Sequence, residues 1–322
     1  MKTTYVRQLL DRCVIRADGL ILRSDQLNMP DASNVMRMLI RHGAIVQIGR
    51  GAYVITQDYQ RLRGWERFRL QAIGLGNRKG RILAGYSAAE LHRLWTYDSV
   101  PQTHCLYRRA NGARIKENGL VTSRELHFLI DDDNHLLLDG IQVTTVARTI
   151  VDLLRVHGFG AGFVAACCAL RRHKITVADL ESELEKTNAR LPQELLLGNV
   201  TGVVESAQEA MFLAQVVFFG DFEVIPQVKV RGSDGTEYRV DFKVKGSTEY
   251  IELDGDEKYG ADAQTQVKSL RKEKNRTHEL AQEGVVPRSY NYRQVVKFHA
   301  YRGTLNALGL PPRLHLPMIH RS

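Results

Sequence analysis

The sequence predicts a multidomain α/β protein, and three observations carry that prediction. At 322 residues the chain is long enough for two or three separate cores, since domains usually run to roughly 100 to 200 residues. Residues 1 to 57 read as helix, short helix, turn, helix and hairpin, the order of a winged helix-turn-helix. Residues 203 to 292 read as helix, three strands, helix and strand, with a last helix from about Arg293. The expected division is a winged helix over 1–57, a middle α/β domain over 58–190 and a C-terminal α/β core over 203–322. Between the last two, "EKTNARLPQELLLGNVTG" reads as a linker, because Pro192 and the glycines break the pattern.

In the first segment, the Pro30 and Asp31 break precedes a helix whose Val35, Met36, Leu39 and Ile40 recur at helical spacing, and Gly43 closes it. "AIVQIGRGAYVI" then gives two strands around Gly49, Arg50 and Gly51, glycines that suit a tight turn. Such a module lays its second helix in the major groove and its wing on the flanking backbone. The residues expected to face DNA are Ser33, Asn34, Arg37 and Arg41 on the helix and Arg50 at the wing tip. Charge supports this: residues 1 to 70 hold 12 Lys and Arg against 6 Asp and Glu, whereas 71 to 204 hold 16 against 14 and 205 to 322 hold 17 against 16. A basic excess concentrated in the first fifth of the chain points to a polyanion there.

The middle segment carries less chemistry. "YSAAELHRLW" predicts a helix with Ser87 as N-cap and Glu90 three residues on, a capping box. His92 on that helix is expected to pack. "TTVARTIVDLLRVHG" predicts a helix capped by Thr144 or Thr145 and closed by Gly158. Asp131, Asp132 and Asp133 read as a polar turn between two strands of a hairpin. Four cysteines, Cys13, Cys105, Cys167 and Cys168, without CxxC spacing, give no sign of a disulfide framework or a zinc knuckle. Together with a charge-interrupted N-terminus and no apolar run long enough to cross a bilayer, they lead to the expectation of a cytoplasmic protein without a membrane partner.

The C-terminal strands are unusual. Asp241 and Lys243 alternate with Val240, Phe242 and Val244, and Glu252 and Asp254 alternate with Ile251 and Leu253, so each polar set projects from one strand face. A short turn around Gly246 should pair the strands and bring the acids together. Close carboxylates repel unless a cation sits among them, and hard oxygen ligands suit Mg²⁺. The metal set expected is therefore Asp241, Glu252 and Asp254, with a bound ion activating water for phosphodiester hydrolysis. The preceding apolar helix is expected to carry Glu205 and Glu209 one turn apart.

Glu205 to about Tyr292 resembles the very-short-patch-repair-like branch of the PD-(D/E)XK nuclease superfamily, through "ESAQEAMF", Gln227 in "IPQVKV", "YRVDFKV", "IELDGDEKYG" and "RKEKNRTHELAQEGVVPRSY". The resemblance implies a restriction-endonuclease-like core and an Mg²⁺- or Mn²⁺-dependent DNA endonuclease. It implies Asp241 as principal metal ligand, Glu252 as second, Glu205 as the helix acid and Gln227 as a polar residue lining the site. Asp254 stands where the wider superfamily has Lys, which leaves Lys243 or Lys258 to supply the positive charge. Residues 15 to 170 resemble the antitoxin of abortive-infection (type IV) toxin–antitoxin systems, through "LRSDQLN", "IVQIGRGAYVI", "GYSAAELHRLW" and "GIQVTTVARTIVDLL". That family joins a winged helix to an α/β domain and acts as a DNA-binding autorepressor. The sequence thus leaves two functions open: a DNA endonuclease acting in phage defence or mobile-element biology, and an antitoxin-like repressor whose nuclease fold is inactive. DNA is the expected partner in both, and a protein partner or a second copy of the chain remains a further class.

Overall fold

A computed structural model describes residues 2–77, 80–96, 100–101, 103–108, 121–126, 129–187, 192–254 and 263–311. It is a mixed α/β structure with 13 α-helices and three sheets among the described residues. The chain divides into two compact units, 1–94 with 99–149, and 95–98 with 150–322.

The first unit begins with α1 (Lys2–Asp11), β1 (Leu20–Leu22), a 3₁₀ turn at Arg23–Asp25, α2 (Ala32–Arg41), β2 (Ile45–Gly49) and β3 (Ala52–Ile55). Gly43 ends α2 with a φ of +68°, and Gly51, at +74°, makes the β2–β3 turn, conformations that cost glycine little. The three strands form an antiparallel sheet in the order β1-β3-β2. Strand β1 lies where the sequence suggested only a short helix, which survives as the 3₁₀ turn. All three of its residues are buried, so "LIL" shows no alternation to announce a strand. Ile40, expected in the core stripe of α2, is exposed, while Ala32, Val35, Met36 and Leu39 are buried.

The sheet has a core on each side. Ile21 packs with Leu9, Val35, Met36, Leu39 and Ile45. Leu20 and Leu22 pack with Ile48 and Val54 and continue into a second layer. That layer comprises α3 (Thr56–Arg61), α4 (Gly64–Gly76), β4 (Arg81–Ala84), α5 (Gly85–Leu91), β5 (Thr103–Arg108), β6 (Thr122–Leu126), β7 (His135–Leu138) and β8 (Ile141–Thr144). Its strands form a five-stranded sheet, β6-β5-β4-β8-β7. Leu70 and Leu75 of α4, Leu83 of β4, and Ile141 and Val143 of β8 belong to the same hydrophobic cluster as Leu20 and Leu22. The β2–β3 hairpin and the five-stranded sheet therefore share one core.

Two local expectations need correction. Helix α5 starts at Gly85, so Ser87 lies inside it, fully buried, and not at its N-cap. The Ser87 hydroxyl accepts the Cys105 N–H at 3.2 Å and faces His104 Nδ1 at 3.1 Å; tertiary pairing outcompetes the local cap. Asp131–Asp133 do not turn a hairpin: they form a 3₁₀ turn capped by Asp131 that leads into β7, and the β7–β8 hairpin turns at Asp139 and Gly140, both at positive φ. His92 packs as expected, buried with Nε2 2.7 Å from the Thr144 carbonyl. Thr145 Oγ1 accepts the Arg148 N–H at 3.3 Å, capping α6 (Val146–His157) as expected.

The second unit continues from α6 through α7 (Phe159–Arg171), α8 (Val177–Glu185), α9 (Gln193–Leu197) and α10 (Ala207–Phe219). Then come β9 (Val224–Arg231), β10 (Glu237–Val244), β11 (Tyr250–Asp254), α11 (Ala263–Gln282), β12 (Arg288–Asn291), α12 (Tyr292–Val296) and α13 (His299–Ala307). The sheet order is β12-β11-β10-β9, antiparallel except for β11–β12, which α11 connects in parallel. Residues 159–169 of α7 are all buried, a helix that needs partners on every side; Phe159 meets Phe218 of α10 with ring centroids 5.4 Å apart. The segment read as a linker carries α9, whose Leu196 is fully buried, and Gly202 lies against the Arg171 backbone.

The hairpin meets α4 closely: a Cβ on Gly49 would fall 2.9 Å from the Gly74 carbonyl oxygen. Backbone cannot retreat as a flexible side chain can, so Gly49→Ala should destabilise the first unit by about 1–3 kcal/mol. A thermal melt unchanged from the parent would contradict the shared core.

Candidate active site

The acids of β10 and β11 lie as their alternation predicts. Val240, Phe242, Val244, Ile251 and Leu253 are buried, whereas Asp241, Lys243, Glu252 and Asp254 are half-buried. The strands pair at Phe242↔Ile251 and Lys243↔Tyr250. Beyond that, the Asp241 carboxylate reaches across and Oδ2 accepts the Leu253 N–H at 2.8 Å. Among the described residues no other donor reaches Asp241. Burial raises its carboxyl to about 7; the Leu253 N–H and Arg276 oppose the rise, and Glu209 and Glu252 add to it.

The acid that the first helix presents to Asp241 is Glu209, not Glu205. Ser206 is the N-cap of α10, its Oγ accepting the Glu209 N–H at 3.1 Å, so Glu205 falls before the helix. Glu205 accepts from Arg171 at 2.9 Å and from Arg239, which takes it away from the other acids. Glu209 is buried and fully engaged: it accepts the Glu205 N–H at 2.9 Å, the Ser206 hydroxyl at 2.8 Å and the Gln227 amide at 2.7 Å. The sequence held the signal for this correction, since S-x-x-E sets the helix start at Ser206.

Gln227, expected to line the site, stands on β9 in a left-handed conformation with φ of +55°. Its Nε2 binds Glu209, while its Oε1 is buried without a hydrogen-bond partner among the described residues, a group expected to find an acceptor role. Glu252 is held by Arg276 of α11, whose Nη2 lies 2.7 Å and 2.9 Å from its two oxygens. Burial raises the Glu252 carboxyl and Arg276 pulls it back, with Asp254 and Glu273 raising it further. Asp254 ends β11 opposite Asn291. Lys243 does not reach toward the acids: its Nζ stands 5.3 Å from the Tyr250 ring centroid. Lys258 lies outside the described residues. Arg276 is the cation the sequence reading missed, one of two arginines and three lysines on a helix whose rotation against the sheet no local pattern announces.

The donors fit a hard divalent ion in kind. Mg²⁺ takes oxygen ligands and typically only one or two protein carboxylates, and Asp241 Oδ1 and Gln227 Oε1 are oxygens that no described donor occupies. Among the described residues no three His, Cys, Asp or Glu side chains stand assembled as a metal cage, because Glu252 is turned to Arg276 and Glu209 is taken by three donors.

In the first unit, Ser33, Asn34, Arg37 and Arg41 all lie on the exposed side of α2, and Arg50 is exposed at the hairpin turn. Ser33 accepts from Arg23 at 3.1 Å. Among the described residues no helix is long and apolar enough to cross a membrane. Compared with protein-family models and with curated proteins, the chain matches none.

An acid raised from its ordinary value near 3.8 to about 7 keeps its proton longer in the folded state. That contribution favours the fold at low pH and turns against it as pH rises from about 4 to about 7. Asp241→Asn, which keeps an acceptor for the Leu253 N–H, should therefore melt higher than the parent at pH 8 in chelator, by on the order of 1 kcal/mol given partial solvent screening. The gap should close below about pH 4. A constant gap across this range would show that Asp241 is not strained by ionisation.

Proposed function

We propose that this protein is a DNA-binding, metal-dependent endonuclease that hydrolyses phosphodiester bonds. The observation that carries this reading is Asp241: a half-buried carboxylate between two other acids, with one oxygen fixed by a backbone N–H and the other open. A structural acid in a sheet would be expected to have a cationic partner or full solvation; among the described residues no cation is hydrogen-bonded to Asp241, which is half-buried. The order of α10, β9, β10, β11, α11 and β12 supports a restriction-endonuclease-like core, as the resemblance implies. In this reading Asp241 and Glu252 hold Mg²⁺ or Mn²⁺, and Gln227 lends its free oxygen. Glu209 fixes Gln227 and adds negative potential behind Asp241. The bound ion would supply a lowered water pKa and charge stabilisation at the phosphorus. The first unit would recruit the substrate as a winged helix, with Arg37, Arg41 and Arg50 on backbone phosphates.

A second reading has one specific observation behind it. Arg276 already neutralises Glu252, and Asp254 stands where the superfamily has Lys, an arrangement compatible with an antitoxin-like repressor whose nuclease fold only binds. Plasmid DNA with Mg²⁺ or Mn²⁺ separates the two. The endonuclease reading expects metal-dependent nicking that Asp241→Asn reduces by at least 10²-fold, of the size seen when a main stabilising group is lost. DNA binding without any nicking would favour the repressor. In both readings Arg37→Glu with Arg41→Glu should weaken DNA binding and flatten its salt dependence; unchanged gel shifts from a folded variant would place the DNA contact elsewhere.

A further inference from the structure

The Arg276–Glu252 pair is unusual in its geometry. A single nitrogen, Nη2, lies 2.7 Å from one Glu252 oxygen and 2.9 Å from the other. Nearly equidistant from both oxygens, it takes the position that a cation bound by both would take. The same nitrogen donates to the Arg239 carbonyl at 2.7 Å, so the guanidinium is anchored to β10 as well as to β11. The two side chains are 26% and 18% exposed, shielded enough for the attraction to exceed that of a surface pair.

Among the described residues the other charged groups acting on Glu252 are acids, Asp254 and Glu273, and Asp241 feels Glu209 and Glu252 in turn. Like charges brought this close need a positive charge among them. Among the described residues, Arg276 is the cation that acts on both Asp241 and Glu252. Among the described residues Glu252 is thus paired with a cation while Asp241 on the neighbouring strand has only the Leu253 N–H.

We propose that Arg276 is an internal, exchangeable counter-cation: it occupies the Glu252 carboxylate while no divalent ion is bound and yields that carboxylate when an ion enters. This rests on the metal-dependent reading of the site. Its consequence is regulatory. An entering ion must displace a guanidinium before it can use Glu252, so Arg276 raises the ion concentration at which the site fills. A purely structural Arg would have the opposite effect on removal, since loosening Glu252 would weaken ion binding.

The test is a calorimetric titration of the full chain with Mn²⁺ in the absence of DNA. Arg276→Gln should bind Mn²⁺ about tenfold more tightly than the parent, the size of one lost competing interaction of ordinary strength. Arg276→Lys, which keeps a competing charge, should stay within about threefold of the parent. Misfolding cannot produce tighter binding, so a gain is informative even if the variant is less stable. Tightening must also vanish when Glu252→Gln is added to Arg276→Gln; persistence in the double variant would overturn the route through Glu252. If the parent binds Mn²⁺ and Arg276→Gln binds it equally or more weakly, the counter-cation fails and the endonuclease reading stands. If neither binds Mn²⁺, both fail.

Discussion

The C-terminal sheet is organised around one hydrogen bond, from the Leu253 N–H to the Asp241 carboxylate at 2.8 Å. Where β10 and β11 stop pairing in register, a side chain takes over the bridge between them. This fixes one oxygen of Asp241 and leaves the other without a donor among the described residues. The neighbouring constraints follow. Gln227 sits in a left-handed conformation that costs a non-glycine residue about 1 kcal/mol or more, and its hydrogen bond to Glu209 at 2.7 Å helps hold it there. Glu209 in turn is locked by the N-cap of α10. A capping serine, a helix acid, a strained glutamine and a strand acid form one connected arrangement, so changing any member disturbs the rest.

Much of this was legible in the sequence, because a strand's period of two is local information. The alternation around Asp241 and Glu252 gave the strands, their buried faces and the meeting of the two acids. What stayed hidden depends on rotation and distance. Glu205 is no such case, since S-x-x-E in the string already starts α10 at Ser206 and leaves Glu205 outside the helix. Arg276 reaches Glu252 because of how a 20-residue helix is turned against the sheet, which its own composition does not encode. Ser87 scans as a cap and is instead drawn into the interior by His104 and Cys105. Strand β1 is hidden for the opposite reason, since a segment buried on both faces has no pattern to read.

In the first unit the deciding constraint is the shared core. Leu20 and Leu22 face one side of the small sheet and Ile21 the other, so three consecutive residues tie α1 and α2 to one layer and α4 with the larger sheet to the next. The close approach of Gly49 to Gly74 keeps the hairpin seated on α4. A helix mounted this way presents Ser33, Asn34, Arg37 and Arg41 from a rigid platform, not from a module on a flexible tether. The division of the chain by contacts, which falls at 149/150 and not near residue 57, follows from that continuity of apolar packing.

The same unit shows why a charge count overstates what a polyanion would meet. Arg12 is tied to Asp31 and Arg16 to Asp25, each at 2.6 Å, so two cations near α2 are already balanced by acids of the same unit. Arg37, Arg41 and Arg50 are exposed, and among the described residues no acid pairs with them. In the proposed reading these three are side chains near α2 and the hairpin able to displace counterions from a DNA backbone, with Arg23 beside them bound to Ser33. Their share of the salt dependence would then be a slope of roughly −3, at about −0.9 per phosphate neutralised, about half of what the full basic excess of the segment would suggest. Electrostatics of that size steers and holds a duplex but does not choose a site on it. Any selectivity of this face would have to come from Ser33 and Asn34, the two uncharged polar residues that α2 exposes in its first turn.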